Sequence, residues 1–205
     1  MRRLRLALAL LLLAAAAVVA AAAHDTLAWR AALSHGDGLL ARQPRRADWS
    51  PSTWLPGDPV RAILHLDGDL DLRRAVRSYE IARTTPRGFD NGVTQSIVRA
   101  GAEVRLSDVA AGGSRAASSQ ANDLLGVLVA RAGQVVGGVT ADDRAQAAFT
   151  ASVERDPANA DAKYNLELLL RRTRATSTRH GAGTGAGSRG RGRKGAGAGV
   201  PGRGY

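Results

Sequence analysis

The sequence predicts an all-α protein, and three observations support that prediction. Aromatic residues make up only 4% of the chain, so a core must be built mainly from leucine, valine and alanine, which suits close helix packing better than a β-sandwich. Apolar residues recur at helical spacing along most of the chain. Small residues recur at fixed steps in two segments, which allows neighbouring helices to approach closely. A chain of 205 residues can hold one modest domain with appendages.

The net charge of +11 lies at the two ends of the chain. Three arginines lie within 2–5, and nine basic residues with no acidic residue lie within 171–205, so the stretch 6–170 has a net charge of −1. The folded part is therefore near neutral, which excludes a basic domain. The chain has no cysteine, which excludes a disulfide framework, a thiolate metal site and a cysteine nucleophile.

Residues 1–23 are predicted to form a membrane anchor or a signal peptide. The run 6–23 contains only Leu, Ala and Val, and as a helix it would be roughly 27 Å long, close to the bilayer core of about 30 Å. It is longer than the usual apolar region of a cleaved signal, which favours an uncleaved, single-pass anchor. The alanines at 21–23 still offer a cleavage site before His24, so a secreted or periplasmic protein is the alternative. The arginines that precede the run favour a C-terminal domain outside the cytoplasm.

Residues 24–57 are predicted to be a membrane-proximal helix followed by a Pro-rich linker. Trp29 would extend the first helix into the lipid headgroup layer, and Pro44 should end that helix after two glycines have weakened it. Prolines and a glycine predict a linker over 42–57. Trp49 and Trp54 lie in it, and we expect them to fold back onto the first hairpin, with solvent-side anchoring as the alternative.

The region 58–174 is predicted to be a helical domain. Asp58 is placed to cap a short helix whose first turn contains Pro59. Further helices are predicted at 71–84, 91–110, 118–132, 141–155 and 160–174, with a break at Gly101. Asp142 and Asp143 would favour the start of the helix at 141.

Two helices share one pattern of small and aromatic residues. Steps of four and seven separate the members of each set, which are Ala75, Tyr79 and Ala82 in one helix and Ala145, Phe149 and Ser152 in the other. The offset between the sets is 70 residues, about two repeats of 34. The further residues of the pattern are Leu125, Gly126, Pro157, Tyr164 and Leu166.

This pattern resembles the tetratricopeptide repeat, most specifically over 145–170. The resemblance implies irregular tetratricopeptide-like hairpins, which bind other proteins and rarely perform chemistry. Three features depart from the repeat: Ser152 replaces a small alanine, Glu167 replaces a glycine, and the loop at 133–140 is long. The string 161–171 also resembles small bacterial membrane-anchored repeat proteins associated with von Willebrand A-domain proteins and MoxR-type ATPases, which implies membrane or envelope proteins, such as a von Willebrand A-domain protein, as partners.

Motifs that indicate chemistry are weak in this chain. The acidic run at 67–71 resembles the opening of an EF-hand, but Leu72 and Ser78 stand where the loop needs glycine and glutamate, so we interpret the run as a turn that caps a helix. The glycines at 181–187 follow no strand and precede no helix, so a phosphate-binding loop is excluded. The histidines lack a second ligand at helical spacing. No catalytic residue, metal or cofactor is predicted, and we expect the chain not to be an enzyme.

Residues 175–205 are predicted to be a disordered Gly/Arg-rich tail, because they lack an apolar face. Phosphate-like polyanions are attracted to such basic segments in a salt-sensitive way. Outside the cytoplasm the targets would be anionic lipid or envelope polymers rather than nucleic acid. The candidate contacts are Arg189, Arg191, Arg193, Lys194 and Arg203. The predicted function is a membrane-anchored protein–protein adaptor, and a polyanion-binding or anionic-surface-binding protein that acts through the tail is the alternative.

Overall fold

The computed structural model describes residues 2–85, 92–133 and 139–187, with side chains described as far as 175. These residues form helices and contain no β-strand, which confirms the predicted all-α class. The helices are α1 (Arg2–Arg42), α2 (Pro59–Ile63), α3 (Leu66–Thr84), α4 (Gly92–Gly112), α5 (Arg115–Ala130), α6 (Ala141–Arg155) and α7 (Ala160–Gly187), with a 3₁₀ turn at Pro44–Arg46. The contacts divide the chain into two units, Met1–Leu166 and Glu167–Tyr205.

Helix α1 is continuous across the boundary predicted at residue 23. Its leucines and valines between Leu4 and Val19 are exposed. Among the described residues it is the one helix long and apolar enough to cross a membrane, although a signal sequence would meet the same test of length and composition. Burial begins at the end of the apolar run, where Ala22 packs partly against a cluster formed by the following residues.

The segment 42–57, predicted as a Pro-rich linker, joins α1 to α2 and packs against its neighbours. Trp49 folds back into the core as expected, whereas Trp54 is 67% exposed, which corrects the expectation that it would also fold back. A buried cluster brings together α1, α2, α3 and the loop 43–58 between α1 and α2, which we call the returning loop. The members of the cluster are Trp29, Ala47, Trp49, Val60 and Leu70. The side chain of Arg77 on α3 donates hydrogen bonds to the carbonyl oxygens of Pro44 and Arg45. The prolines and the glycine of 42–57 therefore shape a fixed loop, because each restricts or permits particular backbone angles without preventing contacts from forming.

Trp29 is a core residue whose side chain is buried rather than exposed on the surface, which corrects its predicted position in the headgroup layer. Its indole is 4% exposed, and Nε1 donates to Oδ1 of Asp58 at 2.9 Å. Asp58 also accepts from the backbone N–H of Arg61, and Pro59 occupies the first turn of α2, as predicted. One carboxylate thus caps α2 and satisfies the indole of α1, which makes burial of this Trp favourable.

Trp49 packs against α1 at a glycine. A Cβ at Gly36 would lie 2.4 Å from the Trp49 ring and 2.6 Å from the carbonyl oxygen of Asp48. The indole Nε1 of Trp49 donates to Oδ1 of Asp37 at 2.9 Å, and Arg73 of α3 donates to both oxygens of the same carboxylate. Burial acts to raise the pKa of Asp37, but the bonds from Arg73 and Trp49 outweigh it and hold that pKa below its usual value.

Helices α3, α4 and α5 pack against one another around a second buried cluster. Two predictions in this region were wrong. The acidic run at 67–71 is not a turn, because α3 already begins at Leu66 and Leu70 of the run is buried. Gly101 does not break α4; it lies on an open side of the helix, where the backbone hydrogen bonds continue through it.

The remaining elements lie close to their predicted boundaries, with two exceptions. Helix α5 begins at Arg115, three residues before its predicted start at 118, and ends at Ala130. Helix α6 begins and ends as predicted, and Thr140 and Asp143 form a reciprocal capping box at its start. Helix α7 continues to Gly187, past the predicted end at 174. Residues 86–91, 134–138 and 188–205, including Pro86, most of the long loop and most of the predicted tail, lie outside the described residues.

We predict that two glycines of α1 respond to alanine with opposite signs. Gly36→Ala should destabilise the cluster by about 1–3 kcal/mol, the usual cost of overpacking, because the added methyl would meet Trp49 and a backbone oxygen. Gly38→Ala has open space around it and should stabilise the helix by up to about 1 kcal/mol. Urea unfolding of the full chain in detergent, followed by tryptophan emission, measures both. Equal effects of the two substitutions would show that the loop that contains Trp49 is not packed on α1.

Candidate protein-interaction surface

Helices α5 and α6 form a close hairpin around one aromatic ring. Phe149 of α6 is 3% exposed and packs on Gly126 of α5, where a Cβ would lie 2.6 Å from the ring. Ala145 and Ser152, four residues before and three after Phe149, are also fully buried. The small residues and the ring therefore complement each other across the hairpin.

The residues of the predicted repeat pattern fall into three environments. Tyr79, Ala75 and Ala82 lie in the cluster shared by α3, α4 and α5. The hairpin of α5 and α6 buries Gly126, Ala145, Phe149 and Ser152, while Leu125 and Leu166 are half-buried. Pro157 is exposed and follows the end of α6 at Arg155. Tyr164 is 65% exposed and does not fill the packing position predicted for it. Helix α5 contacts both α3 and α6, which places it between the two sets.

A buried hydroxyl network, which the sequence analysis missed, joins α5 to α6. Ser152 donates to the carbonyl oxygen of Ser119 at 2.7 Å, and Ser119 donates to the carbonyl oxygen of Ser152 at 2.9 Å. The amide of Asn159, just before α7, donates to the hydroxyl of Ser119. Ser152, which replaces the small alanine of the repeat, is thus a hydrogen-bonding residue. The sequence signal for the network is the pair of polar residues Ser118 and Ser119 on the packed face of α5.

A buried carboxylate connects α5 to the start of α7. Asp123 is 8% exposed, and Oδ1 accepts from the side-chain amide of Asn165 at 2.9 Å. Burial raises the pKa of Asp123 above its usual value, the bond from Asn165 offsets part of that rise, and the negative charge of Asp161 adds to it. Its one described partner is a structural amide, so the geometry assigns Asp123 to helix docking.

Helix α4 carries apolar residues on two opposite faces. Ala102, Leu106 and Val109 face the core and are buried. Val93, Ile97 and Val104 are exposed by 72%, 65% and 60%, and at 100° per residue they share one face. The same face continues with small residues, and its members are Val93, Ile97, Ala100, Val104, Ser107 and Ala111, all exposed. We call this uncharged set the α4 stripe.

A cleft of about 390 Å³ opens between the end of α3, the start of α4 and the end of α5. Tyr79 and three arginines, Arg83, Arg99 and Arg131, line part of it. Glu80 neutralises Arg83 through a hydrogen-bonded ion pair, and burial raises the pKa of Tyr79, so its hydroxyl stays neutral. The cleft therefore carries less free charge than its arginines suggest.

Within the described ranges, no three His, Asp or Glu side chains lie close enough together to hold a metal ion. The tail residues predicted to contact polyanions, Arg189, Arg191, Arg193, Lys194 and Arg203, lie outside the described part of the chain.

No protein-family model, curated protein or solved structure matches this chain.

The contact between Gly126 and Phe149 predicts a coupled pair of substitutions. Phe149→Ala should cost about 3–5 kcal/mol of unfolding free energy, as for other buried aromatics. Gly126→Ala should cost about 1–3 kcal/mol in the wild-type background, because its methyl would meet the ring. In a Phe149→Leu background, which removes ring atoms, the same glycine substitution should cost much less. Urea unfolding of the wild type, Gly126→Ala, Phe149→Leu and the double variant gives the cycle, and equal costs of the glycine substitution in both backgrounds would contradict the packing.

Proposed function

We propose that this chain is a membrane-anchored, non-enzymatic adaptor that docks another envelope protein on the α4 stripe. The observation that carries the proposal is that α4 is apolar on two opposite faces and the domain covers only one of them. The charged residues of α4, among them Arg99, Glu103 and Asp108, lie between the two faces. A second apolar face on a surface helix is more than burial against the domain requires. The outer face is therefore available to a partner.

The anchor is the apolar part of α1, which we propose is retained in the mature protein. Its length matches a bilayer core. Helix α1 passes without interruption from the apolar run into the packed cluster around Trp29 and Trp49, so the span and the domain share one continuous helix. The arginines at positions 2, 3 and 5 favour a cytoplasmic N-terminus, with the domain on the other side of the membrane.

The chemistry of the stripe indicates the kind of partner. From Val93 to Ala111 it extends over roughly 27 Å at 1.5 Å per residue, about the length of one helix. It contains no charged residue, which favours the apolar face of an amphipathic helix over an acidic peptide or a polymer. The partner we propose is therefore a helix-bearing membrane or envelope protein.

Packing of α5, α6 and the start of α7 supports an irregular tetratricopeptide-like arrangement as part of the same proposal. The ring of Phe149 on Gly126, the buried Ala145 and the bonds from Asn159 and Asn165 to α5 join three successive helices. Repeats of this kind use stacked helices as protein-binding scaffolds. The sequence resemblance names a von Willebrand A-domain protein as the first partner to test.

Site-specific crosslinking tests the docking face. A photoreactive amino acid placed at Val104 in native membranes should give a defined adduct with another membrane protein. The same residue placed at Gln146, which is exposed on α6, is the matched control and should give none. Ile97→Glu should reduce the Val104 adduct at least tenfold, because a charge in an apolar contact is costly to desolvate, while the melting temperature stays unchanged at this exposed site.

Three outcomes would contradict the proposal. The first is an absence of adducts at Val104, and the second is the same adducts from Gln146. The third is a mature protein that begins at His24 and washes off membranes in carbonate, which would remove the anchor from the account.

A further inference from the structure

Trp54 is an exposed aromatic residue held in a defined position. Its side chain is 67% exposed, yet its ring stacks on that of His24, with 3.9 Å between the ring centroids and an angle of 15° between the planes. Exposure of a large aromatic side chain has a solvation cost, and this one is fixed in place instead of being folded into the cluster that holds Trp29 and Trp49.

A buried carboxylate fixes the backbone beneath this ring. Oδ1 of Asp25 accepts from the backbone N–H of Trp54 at 2.7 Å, and Oδ2 accepts from that of Leu55 at 3.0 Å. The Asp25 side chain has no exposed surface. Burial acts to raise the pKa of Asp25, but the two backbone bonds and the neighbouring His24 outweigh it and hold that pKa below its usual value, so the acceptor remains ionised at neutral pH.

The position on α1 to which Trp54 is attached determines the surroundings of the Trp54 side chain. The apolar run ends at residue 23, and the two residues that hold Trp54 are the next two, His24 and Asp25. Leu27, a further apolar residue of this level of the helix, is 65% exposed. If 6–23 spans the bilayer, this level coincides with the boundary between acyl chains and headgroups, where tryptophan is the preferred residue.

We propose that Trp54 is a second membrane contact of this protein, lying in the interface of the same bilayer that α1 crosses. The inference rests on the proposed anchor. Asp25 is its positioning residue, because it ties the loop to the helix directly after the span. Trp54 thus takes the interfacial position that the sequence suggested for Trp29. Two points of attachment limit the tilt of the domain and fix the direction in which the α4 stripe faces.

Lipid quenching tests the contact on the full chain. The protein is reconstituted in phosphatidylcholine vesicles, with and without lipid brominated near the start of its acyl chains. Bromine quenches tryptophan emission only at short range. We expect quenching of wild-type emission, and we expect the quenchable part to be lost in Trp54→Phe, since Trp29 and Trp49 are buried in protein. Equal quenching in the two proteins would overturn the proposal.

The positioning role has its own variant and control. Asp25→Ala should reduce the Trp54-dependent quenching while far-ultraviolet circular dichroism remains helical. Asp48→Ala removes another carboxylate that accepts a backbone N–H in the same loop, that of Trp49, and should leave the quenching unchanged. Equal quenching in both variants would remove Asp25 from the account.

Vesicle flotation distinguishes failure of the α1 anchor from failure of the Trp54 contact. Protein that does not float with the vesicles would show that the anchor fails. Protein that floats, but without Trp54-dependent quenching, would show that the anchor holds and that the interfacial contact alone is wrong.

Discussion

Attachment of the returning loop to α1 is the constraint on which the rest of the structure depends. Three carboxylates make it: Asp25 binds the backbone of Trp54 and Leu55, Asp37 binds Trp49 and Arg73, and Asp58 binds Trp29. Because Arg73 belongs to α3, the second of these bonds joins the first helix to the start of the helical domain. Without them the cluster around Trp29 and Trp49 and the bonds from Arg77 would be the remaining contacts that hold the segment 42–57 on its neighbours.

Polar contacts fix the arrangement of the helices because the core has few large side chains. Aromatic residues make up 4% of the chain, and many of the buried apolar positions are alanine. Burial of alanine contributes little free energy per residue and leaves the rotation of one helix against another poorly determined. The Ser119–Ser152 and Asp123–Asn165 bonds supply that missing specificity, since a buried polar group is satisfied in only one register.

The local features of the fold could be predicted from the sequence because their causes are local. Helix α6 follows from its capping residues and its apolar spacing, and the start of α2 follows from Asp58 and Pro59. The fixed shape of the segment 42–57 could not be predicted from its prolines and glycine, because such residues indicate backbone angles and not contacts. Its fixed shape depends on Asp25 and Asp37, which are distant in sequence.

Three glycines show the same limit of prediction from local sequence. Gly36 admits Trp49, Gly126 admits Phe149, and Gly101 faces open space. The difference lies in the partner across each glycine, which the helix that contains it does not reveal. The candidate interaction surface has the same limit. A helix was predicted at 91–110, but only its packing against α3 and α5 shows which of its apolar residues face outward.

Amide hydrogen exchange at two residues tests the central claim, which is that the loop is docked on α1. In the full chain in lipid nanodiscs, the amides of Trp54 and Leu55 should exchange far more slowly than those of an unstructured loop, although the Trp54 side chain is exposed. Asp25→Ala should remove that protection and leave the amides of α5 unchanged. Exchange at unstructured rates in the wild-type protein would contradict the account, because the anchor and the domain would then be joined by a flexible linker.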